Sequence, residues 1–491
     1  MTLLTSTTRT QALIDGQFTD AEGGATFDDL NPATGKLLFK VAACSERDVD
    51  KAVRAARRAF VQGVWSRLDP KERKKILLRF SDLLAANAGE IALLDCIDAG
   101  KPITDCETLD LPDVVNNIRW YAEAVDKVFG KISPTGEGNL GLIVREPVGV
   151  VGIVVPWNFP AGTLSWKIAP ALAAGNSIVV KPAELAPLSA IRIGELALEA
   201  GIPPGVFNVV PGLGHVAGRA IGLHNDVDAV TFTGSTEVGR HFLRYAADSN
   251  LKKITLECGG KSPQIIMADA ASDLDRIVGN LAGAAFWNMG QNCTCGSRVI
   301  VHSSIKEEFT KKLALAAKKW TVGPPNDRST RLGPLIEASA LDRVLGHVDR
   351  ARKDGCRIVT GGRRVLKETG GWFVEATVID NVRPDMAIAR EEVFGPVVAV
   401  LSFDDEQEAA DIANNSAYGL AATVFCRDIN LAMRMARAIR AGTVALNGYG
   451  EGDITTPFGG YKSSGFGGYD KGLEAFEQYT HIKTIWMTLS P

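Results

Sequence analysis

Three short stretches hold residue types that could act on a carbonyl group. Gly290-Gln291-Asn292-Cys293-Thr294-Cys295-Gly296 sets a cysteine in a glycine-bounded turn, after an apolar helical pattern ending near Met289. A thiolate attacks carbonyl carbon, although a lone cysteine is by default a small buried hydrophobe. The balance shifts because Glu257 ends an apolar strand at Leu256-Glu257-Cys258-Gly259-Gly260-Lys261. A carboxylate at a strand end, beside glycines that permit tight turning, is badly placed for a core and well placed for a site. His215, His224, His241, His302, His347 and His481 all lie outside these turns, so a carboxylate is a better candidate base than an imidazole. The third stretch, Pro156-Trp157-Asn158-Phe159-Pro160, closes one strand and opens a helix near Ala161. Such turns face ligands in α/β sheets. An asparagine there commonly satisfies its own backbone, yet its amide could also donate to a developing oxyanion.

Two further segments suit a dinucleotide. Phe232-Thr233-Gly234-Ser235-Thr236-Glu237-Val238-Gly239 follows a strand and opens a helix, so free backbone N–H groups can face a pyrophosphate. It is not the G-x-G-x-x-G fingerprint, and Pro211-Gly212-Leu213-Gly214 comes nearer on paper. Lys181-Pro182-Ala183-Glu184 follows another strand; a carboxylate there could bind ribose hydroxyls and would disfavour a 2′-phosphate. Lys181 could serve either the hydroxyls or a phosphate, so NAD is favoured and NADP is the alternative. The Cys293-x-Cys295 pair is too sparse for structural zinc, and no metal site is expected.

These turns need a scaffold of alternating strands and helices. Apolar runs at Gly149–Val155, Asn176–Lys181, Phe207–Val210, Ala229–Ser235 and Lys252–Gly260 alternate with helical patterns, which predicts parallel strands with crossover helices. A second alternation runs from a helix over 273–289 through Ser297–His302, a helix over 305–319, a strand near 356–360 and Val397–Phe403. The expected fold class is therefore α/β with two doubly wound, Rossmann-like domains. The stretch 127–145 reads as a hairpin interrupting the first domain, and His481–Ser490 as a lone strand. Unpaired edges of that kind invite pairing between subunits.

Bulk properties agree. At 491 residues the chain exceeds one compact core. Lys+Arg 54 against Asp+Glu 57 gives no basic surplus for nucleic acid. The polar N-terminus lacks a secretory pattern, and the longest apolar run, 148–155, is far short of a membrane span. Eight scattered cysteines suit free thiols, so a cytoplasmic protein is expected.

In order and spacing, PWNFP, KPAE, FTGSTEVG, LECGGKSP, GQNCTCGSR, EEVFGP and PFGGYKSSG resemble the aldehyde dehydrogenase superfamily over nearly the whole chain. The resemblance implies Cys293 as nucleophile, Glu257 as general base, and Asn158 with the Cys293 N–H as oxyanion hole. It implies Lys181 and Glu184 at the ribose, Gly234 and Ser235 at the pyrophosphate, and Glu392 with Phe394 at the nicotinamide. Trp157, Gly214, Gly218, Phe232 and Val238 complete the implied NAD site. The implied domains are 1–125 with 148–259 for NAD, 260–462 for catalysis, and an oligomerisation arm of 126–147 with 463–491. A homodimer, or a homotetramer built as a dimer of dimers, is implied.

Cys295 and Cys258 stand where the family commonly has other small or apolar residues, and Cys295 could protect Cys293 through a reversible disulfide. Among relatives, ETLDLPDVVNNIRWYAEAVDKVFG, GEGDITTPFGGYKSSG and HIKTIW are similar to bacterial dehydrogenases for γ-aminobutyraldehyde and its γ-glutamyl derivative. The implied substrate tunnel holds Trp166, Trp287, Asp453, Ile454 and Phe458, with Asp453 holding a cationic or amide-bearing end. Trp157, Trp166, Trp287, Ile454 and Trp486, with the small Ala161, Gly162 and Thr163, instead suit a wide, aromatic approach for aliphatic or arylalkyl aldehydes. Two other classes remain: a non-catalytic nucleotide-binding or structural protein, which would lack the nucleophile or base, and a thioester-hydrolysing esterase, which would not need KPAE and GSTEVG.

Overall fold

In the computed structural model, which describes residues 8–489, the first set of runs forms the parallel centre of an eight-stranded sheet. Across that centre the order is Phe207–Val209, Ser177–Lys181, Val150–Val154, Ala229–Thr233, Lys253–Glu257. The first-formed strand, Val150–Val154, thus sits mid-sheet, with chain progression reversing between it and Ala229–Thr233. At such a reversal the connections leave on opposite faces and open a crevice at the strands' carboxyl ends. Asn158 and Gly234 follow those two strands. Each strand is buried on both faces, which explains the continuous apolar runs.

The second sheet has seven strands, in the order Arg357–Thr360, Thr377–Asp380, Val397–Phe403, Arg298–His302, Pro263–Ile266, Ala421–Phe425, Thr443–Leu446. All pair in parallel except Arg357–Thr360 at the edge. Two doubly wound α/β sheets are therefore present.

One expectation needs correcting. The C-terminal strand is not alone: Thr480–Thr488 pairs antiparallel with Asn139–Pro147 over nine residues, and Lys131–Ser133 completes a three-stranded sheet. Periodicity could not reveal this partner because about 340 residues of chain separate the two strands. Just before it, Gly465–Phe466 pairs with Lys253–Glu257 at the edge of the first sheet. No described helix is long and apolar enough to cross a membrane.

Candidate active site

The helix Leu274–Phe286 ends in a turn where Asn288, Met289 and Gly290 take φ of 50°, 56° and 66° in succession. Left-handed backbone is costly for side chains other than glycine, and asparagine tolerates it best. At Gly290 a Cβ would lie 2.2 Å from the Gly395 carbonyl oxygen, so only glycine fits. This kink swings Cys293, half-buried, to the wall of a cavity of ≈ 750 Å³ between the two sheets. The double glycine after Glu257 has an equally specific reason: a Cβ at Gly259 would lie 2.2 Å from a Glu392 carboxylate oxygen, and one at Gly260 would lie 2.3 Å from the Cys293 carbonyl oxygen. Gly260 N–H in turn donates to Glu392 at 2.8 Å. Tertiary contact thus joins three motifs far apart in sequence.

Glu257 lines the same cavity, 2% exposed, and neither carboxylate oxygen has a hydrogen-bond partner. Burial pushes its pKa well up; nearby Asp470 pushes it further, and Lys167 opposes both. Burial likewise raises the Cys293 thiol, with Glu451, Glu392 and Glu257 adding to the effect. Asn158 is buried and projects its amide between the sheets, where Nδ2 donates to the Gln291 carbonyl at 2.9 Å. An amide nitrogen carries two hydrogens, so one remains for a ligand in the cavity.

On the other side of the cavity stand Trp157, Gly234, Ser235, Glu392 and Phe394. Trp157 and Phe394 meet edge to face at 5.4 Å. Burial pushes Glu392 up to about 7. Ser235 caps the helix Thr236–Ala247 by accepting from Val238 N–H. Lys181 and Glu184 form an adjoining ion pair at 2.7 Å, and Glu184 also accepts from Gly214 N–H at 3.3 Å. Gly218 lies against the Lys181 stem, and Val238 is exposed on the first helical turn. Phe232 is buried in the core beneath Gly234, its ring centroid 5.0 Å from that of Phe242 with the rings tilted by 34°. A dinucleotide fits these residues: a carboxylate for ribose hydroxyls, a glycine and helix start for phosphate, and an aromatic-and-carboxylate end beside Cys293.

Trp166, Trp287 and Phe458 line the cavity's other end, with Gly162 and Thr163 leaving room. Asp453 does not line it; its carboxylate is exposed and folded back onto Thr455 N–H at 2.8 Å. Ile454 is buried in the first sheet's core, and Trp486 lies on the arm, 58% exposed. Ala161 is fully buried beneath the wall. Cys295 points away from Cys293: it is absent from the cavity wall and its Sγ donates to the Ala285 carbonyl at 3.4 Å.

Several neighbours escaped sequence reasoning. Lys167 and Asp470 form a wholly buried ion pair at 2.9 Å beside Glu257, and Lys167 also donates to Thr231. Glu451 and Tyr449, on a loop interrupted by Gly448, Gly450 and Gly452, bond Thr294 and Asn292 on either side of Cys293. Their only sequence signal was charge or aromaticity inside a glycine-rich loop.

A nucleophilic thiol, a buried carboxylate, an amide donor and a dinucleotide cradle sharing one cavity are the equipment for oxidising a carbonyl. Residues 18–485 match the aldehyde dehydrogenase family, and the chain belongs to it. It is similar to aminoacetaldehyde dehydrogenase from Pseudomonas aeruginosa, 50% identical over 480 residues, covering 98% of this chain and 96% of that one. The crystal structure of γ-glutamyl-γ-aminobutyraldehyde dehydrogenase from Burkholderia cenocepacia superposes with a TM-score of 0.96 at 52% identity, covering 98% and 97%. That of an indole-3-acetaldehyde dehydrogenase from P. syringae, in complex with NAD+, gives 0.97 at 47% identity, covering 99% and 98%. The protein is an oxidoreductase that uses NAD to oxidise an aldehyde.

Proposed function

We propose that Cys293, Glu257 and Asn158 carry this reaction and that the preferred aldehyde bears an amino group a few carbons from the carbonyl. The Cys293 thiolate attacks the carbonyl carbon: a C–S bond forms and the π pair moves onto oxygen. The spare Asn158 amide hydrogen and the Cys293 N–H stabilise that oxyanion, each donor contributing roughly 10²–10³ in rate. The bound nicotinamide supplies the acceptor for the hydride expelled as the oxyanion collapses to a thioester. Glu257 then takes a proton from water, the water oxygen attacks the acyl carbon, and the C–S bond breaks to return the thiolate and release a carboxylic acid. Lys167 and Asp470 act on Glu257 through their charges, Asp470 favouring its protonated form and Lys167 its ionised form.

One observation carries the substrate reading: the Glu451 carboxylate lines the cavity beside Tyr449, bonded to the residue after the nucleophile. Aromatic faces with an acidic group recognise ammonium ions. The one lysine on that wall, Lys471, is engaged over the Trp166 ring at 4.0 Å. The expected result is that kcat/KM for 3-aminopropanal exceeds that for butanal by about 10-fold or more, the size of one charge-assisted hydrogen bond. Glu451→Gln is expected to erase most of that preference, read as the ratio of the two kcat/KM values, because Glu451 also holds the Cys293 thiol up and its loss shifts both rates together. An unchanged preference in the variant defeats this assignment. A second reading, oxidation of arylalkyl aldehydes, is favoured by the width that Gly162 and Thr163 leave beside Trp166 and Phe458, and phenylacetaldehyde as best substrate would establish it.

The boundaries 1–125 with 148–259, 260–462, and 126–147 with 463–491 are proposed as NAD-binding, catalytic and arm units. The arm exposes Ile132, Ile482 and Trp486 at 71%, 66% and 58%, which supports assembly through this sheet. Light scattering is expected to give two or four times 52.4 kDa, and a single chain mass would refute assembly. All eight cysteines are free thiols, which supports a reducing, cytoplasmic setting.

A further inference from the structure

Beneath the Pro156–Pro160 turn lies a lysine that substrate cannot reach. Lys101 is 1% exposed and absent from the cavity wall. Its ammonium faces three acceptors: the Asp110 carboxylate at 2.7 Å, the Asn158 carbonyl oxygen at 3.2 Å, and the Phe159 ring, whose centroid is 3.7 Å away. The same Asn158 carbonyl accepts from Asn288 Nδ2 at 2.9 Å. Asn288 also donates to the Gln291 carbonyl at 3.1 Å, the oxygen that already anchors the Asn158 amide. Main chain and side chain of Asn158 are therefore each tied to the kinked turn before Cys293, with Lys101 the only cation in the tie.

We propose that Lys101 is a positioning residue: it clamps the Asn158 main chain so that the free amide hydrogen points at the carbonyl oxygen to be stabilised. Burying an ammonium is costly even when it is paired, and an apolar side chain of similar volume often serves stability as well or better. A buried lysine that serves only stability is therefore a poor solution here. A hydrocarbon at this position would leave the Asn158 carbonyl with one donor instead of two and free the turn to rotate. Misplacing a catalytic group by about 1 Å costs roughly 10²-fold in rate. This inference rests on the reading of Asn158 as oxyanion donor.

The test is a double-mutant cycle between Lys101→Met/Asp110→Asn, which removes both buried charges together, and Asn158→Ala. It is read as kcat/KM with 3-aminopropanal and with butanal, and as NAD affinity by protein fluorescence. On the wild-type background the charge-free pair is expected to lower kcat/KM by about 100-fold with NAD affinity unchanged. On the Asn158→Ala background it is expected to change kcat/KM by no more than about twofold, because the group it positions is gone. Equal losses on both backgrounds, or no loss on the first, overturn the proposal. If Asn158→Ala alone leaves the rate intact, the oxyanion reading fails instead, which separates the two. Should the charge-free pair not fold, Lys101→Met/Asp110→Leu, which replaces both charges by apolar side chains, is carried through the same cycle, judged by the same non-additivity.

Discussion

Replacing Cys293 by alanine is expected to abolish aldehyde-dependent NADH formation, with kcat falling by at least about 10⁴-fold while NAD still binds. The loss should be this large because no other thiol can substitute. Cys295 is buried with its sulfur on the Ala285 carbonyl, and Cys258, though on the cavity wall, is 4% exposed, whereas Cys293 is only half-buried. Absorbance of NADH checks the rate, and fluorescence titration checks the cofactor. Residual turnover above about 1% that Cys258→Ala then removes would move the nucleophile to Cys258 and overturn the assignment. With the Cys295 sulfur bonded to the Ala285 carbonyl, prolonged peroxide should carry Cys293 past the sulfenic acid to forms that thiol reductants do not restore.

The second large effect is at Glu257. With glutamine there, the first turnover forms the thioester but water is no longer deprotonated, so one NADH per active site should appear quickly. Steady-state turnover should then run about 10²–10⁴-fold slower. Burial raises the Glu257 pKa, so the protonated, inactive form persists above the ordinary carboxylate range. The sign follows: thioester hydrolysis by the wild type should rise with pH as Glu257 loses its proton, and the variant's slow phase should lose that rise. The fast phase in both proteins also climbs with pH, because the Cys293 thiol is raised as well. Stopped-flow absorbance across pH separates the two limbs. A variant with no burst and the wild-type pH profile in its slow phase would remove Glu257 from the base role.

How much of this was readable beforehand differs from residue to residue. Cys293, Glu257 and Asn158 each sat in a short motif whose glycines or prolines forced a turn, and short-range constraints are written in adjacent letters. Asp453 carried the same kind of hint and misled: its carboxylate satisfies its own turn at Thr455, the ordinary fate of an aspartate in a loop. Ile454, its neighbour, turned inward to the core. The residue that reaches the cavity is Glu451, two positions earlier, and only the path of a glycine-rich loop decides which carboxylate arrives.

By itself the sequence determined the α/β class, the two sets of parallel strands and the turns that end them, because apolar runs, helical periodicity and glycine act over a few residues. Only the tertiary structure decided which turns meet. Gly260 packs on the Cys293 carbonyl and Gly259 on Glu392; Lys101 reaches Asn158 across 57 positions and Lys167 reaches Asp470 across 303. It also paired Thr480–Thr488 with Asn139–Pro147. Such contacts depend on the order in which strands join a sheet and on which buried charges must find partners once water is excluded, and neither constraint leaves a mark in the local sequence.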